Sequence, residues 1–173
     1  MSRVLVLGGS RSGKSAHAES LLAGMEEVTY LATSVAPAGD QEWAARVAAH
    51  RARRPATWTT VETTAPSTLL GRGPFLVDSV TTWVAALMDE TGIWGEDPDA
   101  ADRLARRVDA LVEAWTMTPA DVVAVSDEVG LGVVPETRAG RLFRDTLGTV
   151  NQRLAGTADH VWFVVAGLPQ RLR

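Results

Sequence analysis

The chain has no cysteine, one tyrosine and one lysine among its 173 residues. The missing cysteine excludes disulfides, thiolate metal sites and cysteine nucleophiles, and makes a reducing cytoplasm the expected compartment. Long apolar runs are missing as well. None reaches the length needed to span a bilayer, and Met1-Ser2-Arg3 leads straight into an apolar run with no signal-peptide pattern. Positive charge is not in excess: the net charge is -4, so there is no general attraction to nucleic acid or an anionic membrane, and any anion must be held locally. There is no internal repeat and no low-complexity tract. With 46% hydrophobic and 22% charged residues the composition is that of an ordered globular protein. A single domain over residues 1–173 is expected, large enough for a sheet covered on both faces.

The stretch that organises the chain is Gly8-Gly9-Ser10-Arg11-Ser12-Gly13-Lys14-Ser15, set between the apolar run Val4 to Leu7 and a helix-like segment from Ala16 to Ala23. The spacing, Gly, four residues, Gly-Lys-Ser, is that of a phosphate-binding loop. Glycine at positions 8 and 13 opens backbone conformations closed to other residues, so that successive N–H groups can wrap a polyphosphate. Lys14 reaches the outer phosphates in this reading, and Ser15 a magnesium ion. Of the 17 basic residues 16 are Arg, and the one Lys stands where a compact ammonium charge is wanted.

Short Val-rich runs at Val4 to Leu7, Val28 to Ala32, Phe75 to Val77, Val122 to Val125 and Val161 to Ala166 read as buried parallel strands. Helical periodicity joins Leu104, Val108, Leu111, Val112 and Trp115, and again Phe143, Leu147, Val150 and Leu154. The alternation predicts a three-layer α/β sandwich with a mostly parallel sheet, of the P-loop NTPase, RecA-like type. Thr57 to Glu62 alternates as an extra edge strand, and the turn-rich stretch from Thr91 to Pro98 reads as a surface connection. The tail from Gly167 to Arg173 carries Pro169, which argues against a full final strand.

Ligands of such sheets gather beyond the carboxyl ends of the strands. Thr33 and Ser34 follow the second run as hydroxyl donors to phosphate or plain turn formers. Asp78, and Asp127 with Glu128, close two further runs and supply the carboxylate that a magnesium-dependent P-loop enzyme needs. The alternative for Asp78 is to cap the helix that begins at Ser79-Val80-Thr81. From Asp40, a helix N-cap, Trp43, Val47, His50 and Arg54 fall on one stripe at helical spacing. Arg46, Arg51, Arg53 and Arg54 gather near His50, and two readings stay open. The guanidinium forks suit phosphate oxygens and would keep a nucleophilic imidazole neutral, or the same cations stabilise a helix C-terminus. His17 and His160 have no such setting and read as structural.

With these residues in view the chain resembles the bifunctional adenosylcobinamide kinase and adenosylcobinamide-phosphate guanylyltransferase family of cobalamin biosynthesis. The resemblance runs nearly end to end. It rests on the loop, on Tyr30-Leu31-Ala32-Thr33-Ser34, and on Ala45-Arg46-Val47 leading through His50 to Arg54-Pro55. Further on come Trp58, Glu62, Val77-Asp78 with Thr81-Thr82, Asp127-Glu128-Val129-Gly130 through Val134-Pro135-Glu136, Phe143-Arg144-Asp145 and Val150-Asn151-Gln152-Arg153-Leu154. It implies two reactions. In the first, ATP or GTP phosphorylates the aminopropanol hydroxyl of adenosylcobinamide, with Lys14 and magnesium at the loop. In the second, a histidine takes GMP from GTP and passes it to the cobinamide phosphate, giving adenosyl-GDP-cobinamide. The matching residue is His50.

The resemblance also implies nucleotide contacts from Gly8, Gly9, Ser10, Arg11, Ser12, Gly13, Lys14 and Ser15, from Ala32, Thr33 and Ser34, from Arg51, Ala52, Arg53 and Arg54, and from Glu62 and Asp78. Ser15 and Asp78 are the implied magnesium ligands, and a homotrimer is implied, with Trp83, Trp94 and Trp115 as interface anchors or core. Two other readings are a P-loop small-molecule kinase without guanylyl transfer and a non-enzymatic nucleotide-binding module. The chain departs from relatives at Ser79, where Cys is frequent, and at Asp127, where Asn is frequent. The second departure puts an extra acid near the phosphate site, where it alters metal binding or is merely solvated.

Overall fold

The computed structural model describes residues 1–33, 54–71 and 73–173. Ser34 and the stripe and Arg cluster from Asp40 to Arg53, with His50, lie outside the described residues. Seven strands among the described residues form one sheet: β1 (Arg3–Gly8), β2 (Thr29–Ala32), β3 (Thr59–Glu62), β4 (Phe75–Asp78), β5 (Val122–Asp127), β6 (His160–Val165) and β7 (Leu168–Arg171). Their order is β3-β2-β4-β5-β1-β6-β7, and every pairing is parallel except that of β6 with β7. The described helices are α1 (Lys14–Leu21), α2 (Val80–Thr91), α3 (Ala100–Met117) and α4 (Arg138–Thr157).

Apolar runs become two-faced strands because successive side chains point to opposite sides of the sheet. Leu5, Leu7, Leu31, Phe75, Val77, Val122 and Ala124 face α2, α3 and α4 and meet Trp83, Leu87, Leu104, Leu111, Trp115, Leu147 and Leu154 in one core. Val4, Val6, Tyr30, Leu76, Val123 and Val125 face the other way and pack with Ala18 and Leu22 of the α1 side. The sheet therefore has helices on both faces, as the expected sandwich requires. Trp83 and Trp115 belong to the core, and their indole N–H groups donate to the Thr64 carbonyl at 3.0 Å and to Thr157 Oγ1 at 3.1 Å. Trp94 lies at the surface and donates to Asp89 Oδ1 at 2.6 Å.

Local sequence explains the helix ends. Ser79 caps α2, accepting from the Thr82 N–H at 3.2 Å while Thr82 Oγ1 accepts from the Ser79 N–H, and Gly92 ends the helix at φ 69°. Thr137 caps α4 through the Gly140 N–H at 3.0 Å. The extra strand at the edge is present as β3, paired parallel with β2. The chain tail corrects an expectation: Leu168–Arg171 is a strand despite Pro169. The Leu172 N–H donates to the Val161 carbonyl at 2.8 Å, and bonds in an antiparallel pair recur every second residue. Pro169, opposite Val164, thus falls at a non-bonded pair on an edge strand, where its missing N–H would have pointed to solvent. Among the described residues no helix is long and apolar enough to cross a membrane.

Candidate active site

The strand register brings scattered residues to one edge of the sheet. Gly8 pairs with Asp127, and Ala32 stands between Glu62 and Asp78; Asp78 is level with Val125, so β1 and β5 run two residues beyond the ends of β4, β2 and β3 at that edge. Measured across the sheet at about 4.8 Å per strand, Asp127 is one strand from the loop strand, Asp78 two strands or about 10 Å, and Glu62 four strands or about 19 Å. Loop and Glu62 can touch one ligand only if it lies along this edge.

The loop itself is tightly specified. A Cβ at Gly8 would stand 2.5 Å from Ser12 Oγ and 2.6 Å from the Val164 carbonyl oxygen. Gly13 takes φ 94° at the N-cap of α1, and Arg11 is exposed at φ 56°. The Gly13 position also abuts the β6–β7 turn, whose Gly167 N–H donates to the Ser12 carbonyl at 2.8 Å. This brace from the end of the chain was not foreseen. Its only sequence signal is the dipeptide Ala166-Gly167 between two strands, which adopts φ 50° and 80° as a two-residue hairpin turn needs. Gly8→Ala should cost about 1–3 kcal/mol through overpacking against a carbonyl that cannot swing away. A thermal melt checks this, with nucleotide affinity falling in parallel; wild-type values of both would contradict the packing described.

Lys14 Nζ donates to the Gly9 carbonyl at 3.2 Å and forms an ion pair with Asp127 Oδ1 at 2.6 Å. Ser15 follows Lys14 in the first turn of α1, which carries no acidic residue there. The buried Ser12 hydroxyl has no partner among the described residues. Asp78 does not cap α2, a task done by Ser79. Its Oδ2 instead accepts from the Tyr30 hydroxyl at 2.9 Å. Tyr30 is buried, and burial first, then the Asp78 charge and this hydrogen bond, push its phenol above the ordinary range, so it remains a donor.

The Arg54 guanidinium stacks on the Tyr30 ring, 3.5 Å from its centroid, and donates to Thr60 Oγ1 at 3.3 Å. Arg54, Pro55, Ala56, Trp58 and Thr60 line an open pocket beside it. Thr33 is fully buried, and its hydroxyl bonds the Ser79 carbonyl and Thr82, so it ties the end of β2 to the start of α2. Glu62, at the end of β3, is exposed. His17 packs edge-on against Trp162 at 5.0 Å with its pKa lowered by burial, and His160 Nδ1 accepts from Arg171 at 2.7 Å, in keeping with structural roles.

Ser15 and the strand-end carboxylate of Asp78 are hard oxygen donors, the chemistry that suits Mg²⁺. No group of three His, Cys, Asp or Glu able to hold a metal occurs among the described residues.

A strand, loop and helix of this form at the carboxyl end of a mostly parallel sheet, with β5 between the loop strand and the Asp78 strand, define a P-loop nucleotide-binding protein of RecA-like architecture. A type III secretion ATPase has the same fold, with a TM-score of 0.60 at 13% identity over 98% of this chain and 56% of that one. More particularly, the family model described as cobinamide kinase / cobinamide phosphate guanyltransferase matches residues 4–172, and the chain belongs to this family. It is 43% identical over 183 residues to the bifunctional adenosylcobalamin biosynthesis protein CobU of Salmonella typhimurium, covering 98% of this chain and 99% of the relative. It is 41% identical over 179 residues to the corresponding protein CobP of Pseudomonas aeruginosa, covering 99% and 97%.

Proposed function

We propose that the chain is a bifunctional enzyme that phosphorylates adenosylcobinamide with ATP or GTP and then guanylylates the product from GTP. The observation that carries this reading is the match over the whole chain to bifunctional relatives, joined to a formed phosphate loop. The nucleotide lies along the row of strand ends, its phosphates at Gly8 to Ser15 and its other end toward Ala32, Arg54 and Glu62. In the first reaction the substrate hydroxyl attacks the γ-phosphorus, the bond to the β-phosphate bridging oxygen breaks, and the hydroxyl proton is released. Lys14 and the loop N–H groups hold the phosphate oxygens and stabilise the charge on the leaving diphosphate. Ser15 and Asp78 would hold a Mg²⁺ ion, which would further neutralise that charge. Tyr30 keeps the Asp78 carboxylate aimed.

In the second reaction a nitrogen of His50 attacks the α-phosphorus of GTP and pyrophosphate leaves. A phosphate oxygen of the cobinamide phosphate then attacks the phosphorus of the bound GMP, a new P–O–P bridge forms, the N–P bond breaks and the imidazole is regenerated. The positive charges of Arg51, Arg53 and Arg54 favour this by screening the polyanion, and Arg51 to Arg53 join the nucleotide site in this reading. We further propose a cytoplasmic homotrimer. Burial removes Trp83 and Trp115 as interface anchors, whereas Leu131, Val133 and Leu168 are apolar and exposed.

Incubation with GTP should raise the intact-protein mass by one GMP, and a chain that never gains it would defeat the guanylyltransferase half. Tyr30→Phe tests the orienting role. It keeps the buried ring under Arg54 and is expected to lower kinase kcat by about tenfold, with a weaker dependence on Mg²⁺ concentration. Unchanged kcat and Mg²⁺ dependence would show that Asp78 needs no such support.

A further inference from the structure

The role of Asp127 follows from how firmly it is aimed. Its N–H donates to Thr81 Oγ1 of α2 at 2.7 Å, and its carbonyl accepts from Asn151 Nδ2 of α4 at 3.0 Å, Asn151 being buried. The next residue, Glu128, donates its N–H to the Gly8 carbonyl at 3.1 Å, so the end of β5 is fastened to the loop as well. From this held backbone the carboxylate meets Lys14 Nζ at 2.6 Å, and both side chains are mostly shielded, Lys14 exposed to 12% and Asp127 to 24%. Asp127 is therefore not merely solvated. The lysine that is to receive phosphate is already neutralised, and the other loop cation, Arg11, is exposed. Glu128 Oε1 is turned to the Gly130 N–H at 2.6 Å.

Resting on the reading of the loop as a nucleotide site, we propose that Asp127 makes this loop select nucleotide carried with its divalent cation over bare nucleotide. A bare triphosphate must draw Lys14 from Asp127 or share it, and either way its own charge sits beside a fixed carboxylate one strand from the loop. A divalent cation travelling with the phosphates offsets that repulsion. An uncharged residue at this position keeps a hydrogen bond to Lys14 but loses the selection.

The test is calorimetric titration of the full chain with a β,γ-imido analogue of GTP, with Mg²⁺ and with EDTA, comparing wild type, Asp127→Asn and Asp127→Glu. One like charge at this range in a partly screened site is worth about tenfold in affinity. Asp127→Asn should bind the bare analogue about tenfold more tightly and its Mg²⁺ complex within about threefold of wild type, while Asp127→Glu keeps the wild-type ratio. An unchanged ratio in Asp127→Asn, or an equal loss in both conditions, overturns the proposal. Asp127→Ser, which also removes the charge, must repeat the Asn result, and it carries the test if the Asn variant does not fold. Absence of binding by wild type in both conditions would instead refute the nucleotide site itself, and the selection with it.

Discussion

Lys14→Ala should lower phosphoryl transfer to adenosylcobinamide by about three orders of magnitude, measured as cobinamide-dependent release of nucleoside diphosphate. Two losses add. The ammonium that stabilises charge on the leaving oxygens disappears, and Asp127, its partner at 2.6 Å, is left unpaired beside the incoming phosphates. The double variant Lys14→Ala, Asp127→Asn should therefore recover nucleotide affinity without recovering turnover. Lys14→Arg is no conservative rescue. A planar guanidinium cannot occupy a point-charge position bonded at once to the Gly9 carbonyl and Asp127, which agrees with the use of Arg for the other 16 basic residues. Full turnover in Lys14→Ala would remove the loop from the mechanism.

His50→Ala should abolish the covalent GMP adduct and reduce guanylyl transfer by a factor on the order of 10⁶, as removal of a nucleophile does. Kinase turnover should stay within about threefold of wild type, because that reaction needs positioning and charge at the loop and no covalent step. The adduct on wild type should be labile to acid and stable to base, as a phosphoramidate is, which separates His50 from a serine or carboxylate nucleophile. Persistence of the adduct in His50→Ala would move the nucleophile elsewhere.

How much of this was legible in the sequence depended on how local each feature is. The Val-rich runs gave five parallel strands, β1, β2, β4, β5 and β6, to within a few residues, because a strand buried on both faces has few polar positions to confuse it, while the exposed edge strand β3 showed only as alternation. The loop was legible since its glycines answer to local backbone demands, and the structure shows Gly13 at φ 94° and no room for a Cβ at Gly8. Pro169 misled, because a single sequence does not say which side of a strand faces solvent. The bond from Tyr30 to Asp78, the brace from Gly167 to Ser12 and the pair of Lys14 with Asp127 were hidden for a different reason. Each joins segments that meet only after parallel strands are placed side by side. The placement of Gly8, Asp127, Asp78, Ala32 and Glu62 at one edge of the sheet likewise exists only once the strand order is known. The carboxyl-end rule named most of its members, but only the register gave the spacing that stretches a ligand across them.

The most direct test of the bifunctional account is a product analysis with GTP as the only nucleotide. Wild type with adenosylcobinamide and Mg²⁺ should form the cobinamide phosphate first and then adenosyl-GDP-cobinamide, His50→Ala should stop at the phosphate, and Lys14→Ala should form neither. Adenosyl-GDP-cobinamide made by His50→Ala, or a wild-type reaction that ends at the phosphate, would contradict it.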